Sequence, residues 1–254
     1  MIKKIALSSF ASVLLLSQVA NAEIKLGDKG SFGTIAFNAG YNTTYVWRGI
    51  DQNSGSGSPY IGADLTTPIG FYLGTWTAAS TAGLGNVAGA PNQEIDIYAG
   101  IAKTFGAVTL DIGVIEYRYP GSNKPASPNN FLEFYGKLKL APDKAPYSLQ
   151  LAYYVDDTEG QNNTTVTPVK KGNGKEYVEI SGSYNFPAFT VAASYGEYKD
   201  ETETTTITAS KSMFDLNFSA SYINADVVNL TKASAATRTN SNKEFYVVNV
   251  SKTF

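Results

Sequence analysis

Two carboxylates at alternate positions are the residues of this sequence best placed for chemistry. Glu94 and Asp96 lie two residues apart, and in an extended strand this spacing puts both side chains on one face. Paired carboxylates can act as a general acid and a general base. They can also balance positive charges inside the protein, such as those of Arg48, Lys137 and Lys139, and we expect this second role.

The composition excludes several kinds of functional site. Histidine and cysteine are both absent from the 254 residues, which excludes Ser-His-Asp triads, cysteine nucleophiles, histidine-ligated metals and lipid hydrolysis by a serine–histidine pair. The acidic segment DDTEG at 156–160 could bind calcium, but its spacing does not match an EF-hand loop. The formal net charge of −2 gives no basic signal for nucleic acid. We therefore predict a protein that is not an enzyme and has no cofactor, no metal and no nucleic-acid partner.

The elements that carry the charged residues are predicted to be β-strands along the whole chain. In the segment EIDIYAGI, apolar residues at 95, 97, 99 and 101 alternate with Glu94, Asp96, Tyr98 and Gly100, as in a strand with two unlike faces. This alternation recurs to the end of the chain and predicts about twelve strands, each long enough to cross a bilayer when tilted. Residues 71–79 form a further predicted strand whose apolar face the pattern does not settle.

Connections of two lengths alternate between these strands. Short ones at 67–70, 105–107, 141–146, 186–189 and 211–214 alternate with others at 51–58, 80–92, 121–130, 156–175 and 226–243 that are mostly longer. Residues 200–203 are the short exception among the second group. This order places the long loops at one end of the sheet, with the short turns and both termini at the other. Outer-membrane barrels have this layout, with short periplasmic turns and longer extracellular loops.

A sheet with one apolar face can shield that face from water in two ways. It can form a soluble sandwich with an apolar interior, or a membrane barrel with a polar interior. Three observations favour the barrel. The polar face is rich in small and charged residues. Tyrosine and tryptophan lie near strand ends, where an aromatic belt would meet the membrane interface; we assign Tyr45, Trp47, Tyr153 and Tyr222 to it. The last segment, EFYVVNVSKTF, puts Tyr246, Val248, Val250 and Phe254 on one face, as in a C-terminal signal for outer-membrane insertion.

These observations predict an all-β protein, a closed antiparallel transmembrane β-barrel of about twelve strands, because lipid offers no hydrogen-bond partners to a strand edge. Residues 1–22 are predicted to be a secretory signal peptide, since the basic MIKK precedes an apolar run and ANA at 20–22 fits a cleavage site after Ala22. An N-terminal membrane anchor is the alternative. Residues 23–254 are then one barrel domain in the bacterial outer membrane.

Several segments occur in an order that resembles a known family. They are YVWRGIDQ (45–52), FYLGTWTAAS (71–80), EIDIYAGI (94–101), LDIGVIEYRYPG (110–121), EFYGKL (133–138), TASKSMFDLNFSASY (208–222) and VVNVSKTF (247–254). Together they resemble the TorF-like family of proteobacterial outer-membrane proteins. The resemblance implies an outer-membrane barrel and allows a pore. This family is largely uncharacterised, and the resemblance implies no catalytic residues.

The charges on the polar face are predicted to line the interior, because Arg or Lys facing lipid at mid-depth would cost about 2–4 kcal/mol. These candidates for solute selectivity are Arg48, Asp64, Glu94, Asp96, Asp111, Glu133, Lys137 and Glu179. We expect Arg48 at the top of the first strand to pair with Asp64 and to brace the wall more than it filters solute.

Two functions remain open at this point. The first is a narrow, porin-like passive channel for small polar solutes. The second is a non-transporting barrel whose loops serve adhesion or envelope structure. The predicted partners are outer-membrane lipid, the outer-membrane assembly machinery and a small polar solute, while the sequence leaves the solute and the oligomeric state open.

Overall fold

The computed structural model describes residues 23–81, 93–120, 130–156, 174–199, 202–230 and 238–254. The predicted signal peptide and residues 157–160 of the acidic segment lie outside the described residues. Within the described ranges, no helix is long and apolar enough to cross a membrane.

In the described part of the chain, fifteen strands follow one another, and one 3-10 turn spans Asp28–Gly30. In order they are β1 (Ile24–Leu26), β2 (Gly33–Asn42), β3 (Val46–Trp47), β4 (Ile50–Asp51), β5 (Ser58–Thr66), β6 (Phe71–Ala79), β7 (Gln93–Phe105), β8 (Val108–Arg118), β9 (Phe131–Leu140), β10 (Tyr147–Asp156), β11 (Glu176–Asn185), β12 (Thr190–Tyr198), β13 (Thr202–Met213), β14 (Leu216–Leu230) and β15 (Arg238–Thr253).

Twelve of these strands, β2 and β5 to β15, close into one barrel. Each pairs antiparallel with its neighbours along the chain, and β2 pairs with β5 on one edge and with β15 on the other. The backbones of Phe37 and Phe254 exchange hydrogen bonds of 3.0 and 2.7 Å at this closure. Strand β1 pairs with the start of β2, where Ile24 lies opposite Ile35. The predicted fold class is therefore confirmed.

The two faces of the wall meet different surroundings. Outward-facing apolar side chains are widely exposed, as at Ile61, Ile112 and Ile180, whereas Glu94 and Asp96 are buried inside the barrel. Apolar residues thus cover the outside of the barrel, while polar, charged and aromatic side chains, most of the last being tyrosines, fill the inside. An apolar outer face is the reverse of what a soluble protein shows. The strand that the sequence left unsettled, β6, follows the same rule, because its buried Tyr72 and Trp76 alternate with exposed Phe71 and Leu73.

The two shortest strands, β3 and β4, form a separate hairpin that does not belong to the wall. Val46 pairs with Asp51 and Trp47 with Ile50, so Arg48 and Gly49 are the two turn residues. Both have positive φ, 48° and 79°, as the inner positions of a type I′ turn require. Arg48 therefore lies at the tip of a hairpin and not at the top of the first barrel strand, where the sequence placed it.

Candidate functional site

The connection between β2 and β5 folds into the barrel interior, and we call residues 43–57 the inward hairpin. Its first aromatic residue, Tyr45, donates a hydrogen bond of 2.9 Å from its hydroxyl to Glu94 Oε1 on β7. The Tyr45 ring packs edge-on against Trp76 of β6, with 5.6 Å between centroids. Tyr45 is consequently buried.

The tip of the inward hairpin forms an ion pair with the opposite wall. Arg48 donates from Nη1 to Glu133 Oε1 at 2.6 Å and from Nη2 to Glu133 Oε2 at 2.9 Å. The Arg48 side chain is 5% exposed and that of Glu133 is 0% exposed. Tyr117 donates a further hydrogen bond of 2.9 Å to Glu133 Oε2. A buried carboxylate needs partners of this kind, since an uncompensated charge in the interior is strongly destabilising.

Four aromatic rings surround the guanidinium. The carbon Cζ of Arg48 lies 4.4 Å from the ring centroid of Trp47, and 4.8, 4.2 and 5.2 Å from those of Tyr154, Tyr177 and Tyr198. All four distances are within the range of cation–π attraction.

Four consecutive strands supply the wall side of this site, and we call Glu133, Tyr154, Tyr177 and Tyr198 the Arg48 pocket. Burial opposes the charge on Arg48, but Glu133 and the neighbouring Tyr117 and Tyr154 together favour it, and the pKa of the guanidinium is raised above its usual value. Arg48 therefore stays charged at every pH at which the protein would be studied.

The backbone at the tip of the hairpin also contacts the wall, at strands β13 and β14. Thr202 Oγ1 donates a hydrogen bond of 2.7 Å to the carbonyl oxygen of Arg48. A Cβ atom placed on Gly49 would lie 2.5 Å from Thr204 Oγ1 and 2.6 Å from Ala225 Cβ. The tip of the hairpin thus fits against β13 and β14 only because residue 49 has no side chain.

Hydrogen bonds also fix the return arm of the inward hairpin. The Gln52 amide donates to the Tyr45 carbonyl at 2.7 Å, and the Thr81 amide donates to the Gln52 carbonyl at 2.8 Å. The Asp51 carboxylate accepts hydrogen bonds of 2.9 and 2.6 Å from the backbone amides of Asn53 and Gly55. Together with the tip, these contacts hold the hairpin across the interior from β6 and β7 to β13 and β14.

All eight residues predicted to line the interior lie inside the barrel, and most have partners there. Asp64 accepts hydrogen bonds from Tyr98 and Asn38. Lys137 Nζ lies 3.9 Å from Asp111 Oδ2. Their role in solute selectivity stays a prediction. The predicted pairing of Arg48 with Asp64 is wrong, because the hairpin carries Arg48 across the interior to Glu133.

The remaining wall carboxylates of this set differ in how they are satisfied. Tyr177 donates to Glu179 Oε2 at 2.8 Å. In contrast, Glu94 Oε2 and both carboxylate oxygens of Asp96 are buried and accept no hydrogen bond from any residue that the structure describes. These two neighbouring side chains therefore leave an excess of acceptors in the interior. No cluster of three or more potential metal ligands occurs within the described ranges.

The aromatic residues predicted as a membrane belt fall into two groups. Tyr45 and Trp47 were wrongly assigned, because both lie on the inward hairpin, where Trp47 packs on Tyr198 with 5.5 Å between centroids. The alternation of β2 continues past Asn42, but the chain has by then left the wall. Tyr153 is exposed on the outer face, and Tyr222 packs on outward-facing Tyr246 at 5.4 Å; their membrane role stays a prediction.

The predicted C-terminal insertion signal forms part of the outer face of β15. Tyr246, Val248 and Phe254 are exposed there, and Val250 has the same phase along the strand. Recognition by the assembly machinery stays a prediction.

Sequence reasoning passed over a stripe of hydroxyl side chains on β13. The stripe comprises Thr202, Thr204, Thr206, Thr208 and Ser210, all buried and all facing inward. None of them is charged, which is why they were not selected, although the strict alternation of TETTTITAS would have identified them. They give the wall on that side a polar, uncharged surface that runs along most of one strand.

Comparison with known proteins bears on the family and on the fold. A family model described as "Bacterial protein of unknown function (Gcw_chp)" matches residues 27–254. No curated protein matches the chain. The description of the matching family does not mention the TorF-like family, so that resemblance stays a prediction.

Solved structures of outer-membrane proteins are similar in fold. The KdgM porin superposes with a TM-score of 0.54 at 12% identity, covering 86% of this chain and 99% of that one. An outer membrane channel from Pseudomonas putida F1 gives 0.47 at 12% identity and covers 88% and 96%. Salmonella typhi OmpF gives 0.45 at 10% identity and covers 92% and 100%. At 12% identity, the similarity to the KdgM porin supports the fold and not the function. The other two similarities are weaker, and we base no conclusion on them.

Proposed function

We propose that this chain, which belongs to the Gcw_chp family of bacterial proteins, is a narrow passive channel for small polar solutes in the bacterial outer membrane. One observation carries this proposal. The closed wall is apolar outside, whereas its interior is lined by charged side chains and by the hydroxyl stripe of β13. A polar interior inside an apolar shell is the arrangement of a barrel that passes solutes through lipid.

The inward hairpin sets the width of the proposed path. It contacts β7 through Tyr45 and Glu94, β9 through Arg48 and Glu133, and β13 through the bond from Thr202 to the Arg48 carbonyl. A segment held at three points around the wall narrows the interior at that level. The proposed channel is therefore selective for small solutes, and any wider opening requires the hairpin to move.

The remaining features of the proposal concern export and partners. Cleavage of residues 1–22 and recognition of the β15 face by the assembly machinery would deliver the chain to the outer membrane of a Gram-negative cell. The resemblance to the TorF-like family agrees with this location. The composition, without histidine or cysteine, supports a function in transport that involves neither catalysis nor a cofactor.

A second function is favoured by the same hairpin. A segment that crosses the interior and is fixed by a buried ion pair would also suit a barrel that never opens and that only presents its loops for adhesion or envelope structure.

Single-channel recording in planar bilayers separates the two functions. The purified, folded protein should give discrete current steps in a simple salt such as potassium chloride. Folding is checked by heat-modifiable gel migration, in which the unheated barrel runs at a different position from the boiled chain. The absence of current steps at every voltage from protein that passes this check would refute the channel and favour the non-transporting barrel.

A further inference from the structure

We propose that the Arg48 pocket is a recognition site for small organic cations that carry a guanidinium group, and that Arg48 occupies it as an internal ligand that such a solute displaces. The binding site is a feature of the barrel wall alone. The consequence for transport, which is that displacement widens the interior, rests on the proposed channel function.

The acceptor in the pocket fits a planar, forked donor. Glu133 receives one N–H on each carboxylate oxygen, from Nη1 and Nη2 of Arg48. A guanidinium group presents two parallel donors with this spacing, whereas an ammonium group is a point charge that cannot engage both oxygens with the same geometry. The pocket should therefore prefer guanidinium over ammonium compounds.

Two of the three rings of the pocket keep their orientation without Arg48, because wall carboxylates bind their hydroxyl groups. Tyr177 donates to Glu179 Oε2 at 2.8 Å, and Tyr198 donates to Asp156 Oδ2 at 3.4 Å. Each hydroxyl is thus held from the wall while the ring face is left for a cation. A preorganised site of this kind loses little entropy on binding a ligand.

The burial of Glu133 explains why a cation must replace Arg48. If the hairpin withdrew alone, Glu133 would keep the hydrogen bond from Tyr117 but would lose its counter-charge. A buried carboxylate without a counter-charge is strongly unfavourable, so withdrawal of an empty hairpin is rare. A guanidinium solute removes this penalty by taking the place of Arg48, and binding and withdrawal are therefore coupled.

Arg48 competes with a free guanidinium compound for the pocket, and its covalent attachment to the chain favours Arg48. Substitution of Arg48 removes this competition. A tethered group competes with an effective concentration that is typically millimolar, so a free guanidinium compound should bind the native barrel weakly. In an Arg48→Ala variant the competitor is gone, and we expect methylguanidinium to bind about tenfold more tightly or better.

Calorimetric titration of the full chain in detergent micelles tests the site directly. Methylguanidinium is the ligand, and methylammonium, a smaller cation of equal charge that lacks the fork, is the control. We expect Arg48→Ala to bind methylguanidinium at least about tenfold more tightly than methylammonium, and Arg48→Ala combined with Glu133→Gln to lose this preference. Arg118→Ala removes an exposed arginine whose partner is Glu116 and should behave as the native protein does. Equal binding of the two cations to folded Arg48→Ala, or no binding, would overturn the proposal.

Arg48→Lys answers the same question if Arg48→Ala does not fold. Lysine keeps the charge opposite Glu133 but lacks the fork, so methylguanidinium should displace it more readily than it displaces arginine. If Arg48→Lys bound methylguanidinium with the same affinity as the native barrel, the result would count against the recognition site.

A disulfide lock tests the coupling to transport. A Cβ on residue 49 would lie 3.6 Å from Thr204 Cβ, within the range of disulfide bonds, and the chain has no cysteine to interfere. The variant G49C/T204C/A225G forms the lock and removes the close contact with Ala225. Methylguanidinium should increase the single-channel conductance of the reduced variant and leave that of the oxidised variant unchanged.

The two proposals fail in different ways. A barrel that binds methylguanidinium as described but never conducts would refute the channel and retain the binding site. A barrel that conducts, while methylguanidinium neither binds to Arg48→Ala nor alters the current of the reduced lock variant, would retain the channel and refute the recognition site.

Discussion

Arg48 and Glu133 are 85 residues apart in the chain, and they meet inside the barrel in a two-bond ion pair with N–O distances of 2.6 and 2.9 Å. Arg48 comes from a hairpin that is not part of the wall, and Glu133 comes from wall strand β9. The pair therefore connects the segment that narrows the interior to the wall that surrounds it.

The first prediction concerns the stability of this ion pair. Glu133→Gln should lower the free energy of unfolding by about 3–5 kcal/mol, because it leaves the buried guanidinium without a counter-charge. Arg48→Ala should have a comparable effect, and the double variant should lose much less than the sum of the two. Urea unfolding in lipid vesicles measures all three, and urea is preferred because guanidinium is itself a ligand under our proposal.

The exposed pair of Arg118 and Glu116, at 2.8 Å, provides the control for that cycle. Arg118→Ala should change the free energy of unfolding by less than about 1 kcal/mol, since exposed ion pairs contribute little. Strict additivity of the Arg48 and Glu133 substitutions would show that the two side chains do not interact as described.

The second prediction concerns the tip of the inward hairpin. Gly49→Ala adds a Cβ that would contact Thr204 and Ala225 at a residue with φ of 79°, where a side chain costs about 1–2 kcal/mol. The hairpin should therefore leave the interior more often. Trypsin should then cut after Arg48 faster than in the native barrel, as quantified by mass spectrometry of the released peptides.

Gly136→Ala is the matched control for Gly49→Ala. A Cβ at residue 136 would meet nothing within 4 Å, so cleavage after Arg48 should keep its native rate. Equal rates for both variants would mean that the tip does not depend on a glycine.

The third prediction concerns the outer face. Ile112 lies near the middle of β8 and is 62% exposed, which in a water-soluble protein would make a polar substitution harmless. In a membrane barrel, Ile112→Arg should lower the free energy of unfolding in lipid vesicles by about 2–4 kcal/mol, because it places a charge in the hydrocarbon region. Urea titration monitored by tryptophan fluorescence measures the difference, and an unchanged midpoint would contradict the lipid-facing assignment.

The wall of the barrel could be predicted from the sequence because its signal is local. Alternation with a period of two residues assigned Glu133 to the inner face and Leu138 to the outer face without any knowledge of the neighbouring strand. The same reasoning gave the class of fold and the interior location of the seven charged candidates that lie on wall strands.

The inward hairpin could not be predicted because its signal depends on distant partners. Trp47 and Tyr45 continue the alternation of β2, and an aromatic residue satisfies that pattern equally well against lipid or inside the barrel. The true partners of Arg48, which are Glu133, Tyr177 and Tyr198, are contributed by strands far along the chain. The one local indication was Gly49, because glycine readily adopts the positive φ that a two-residue turn at Arg48 and Gly49 requires.

The fourth prediction concerns ion selectivity, and it tests whether the buried acidic side chains act on permeating ions. Glu94→Gln combined with Asp96→Asn removes two interior carboxylates that have unsatisfied oxygens. Burial without partners favours the neutral form of a carboxyl group, so the comparison is made at alkaline pH. If the native channel conducts, the wild type should then prefer cations, and the variant should lose at least about half of that preference, since lining charges set selectivity at short range. Reversal potentials in a potassium chloride gradient measure the change.

The control for the fourth prediction is Glu203→Gln, because Glu203 is an exposed carboxylate that accepts a hydrogen bond from Tyr195 on the outer face. Its removal should leave the reversal potential unchanged at high salt, where exposed charges are screened within about 3 Å. Interior carboxylates are screened much less, so the effect of Glu94 and Asp96 should persist at the same salt concentration. Equal shifts in both variants would place the selectivity at the mouth of the barrel and not at the acidic pair.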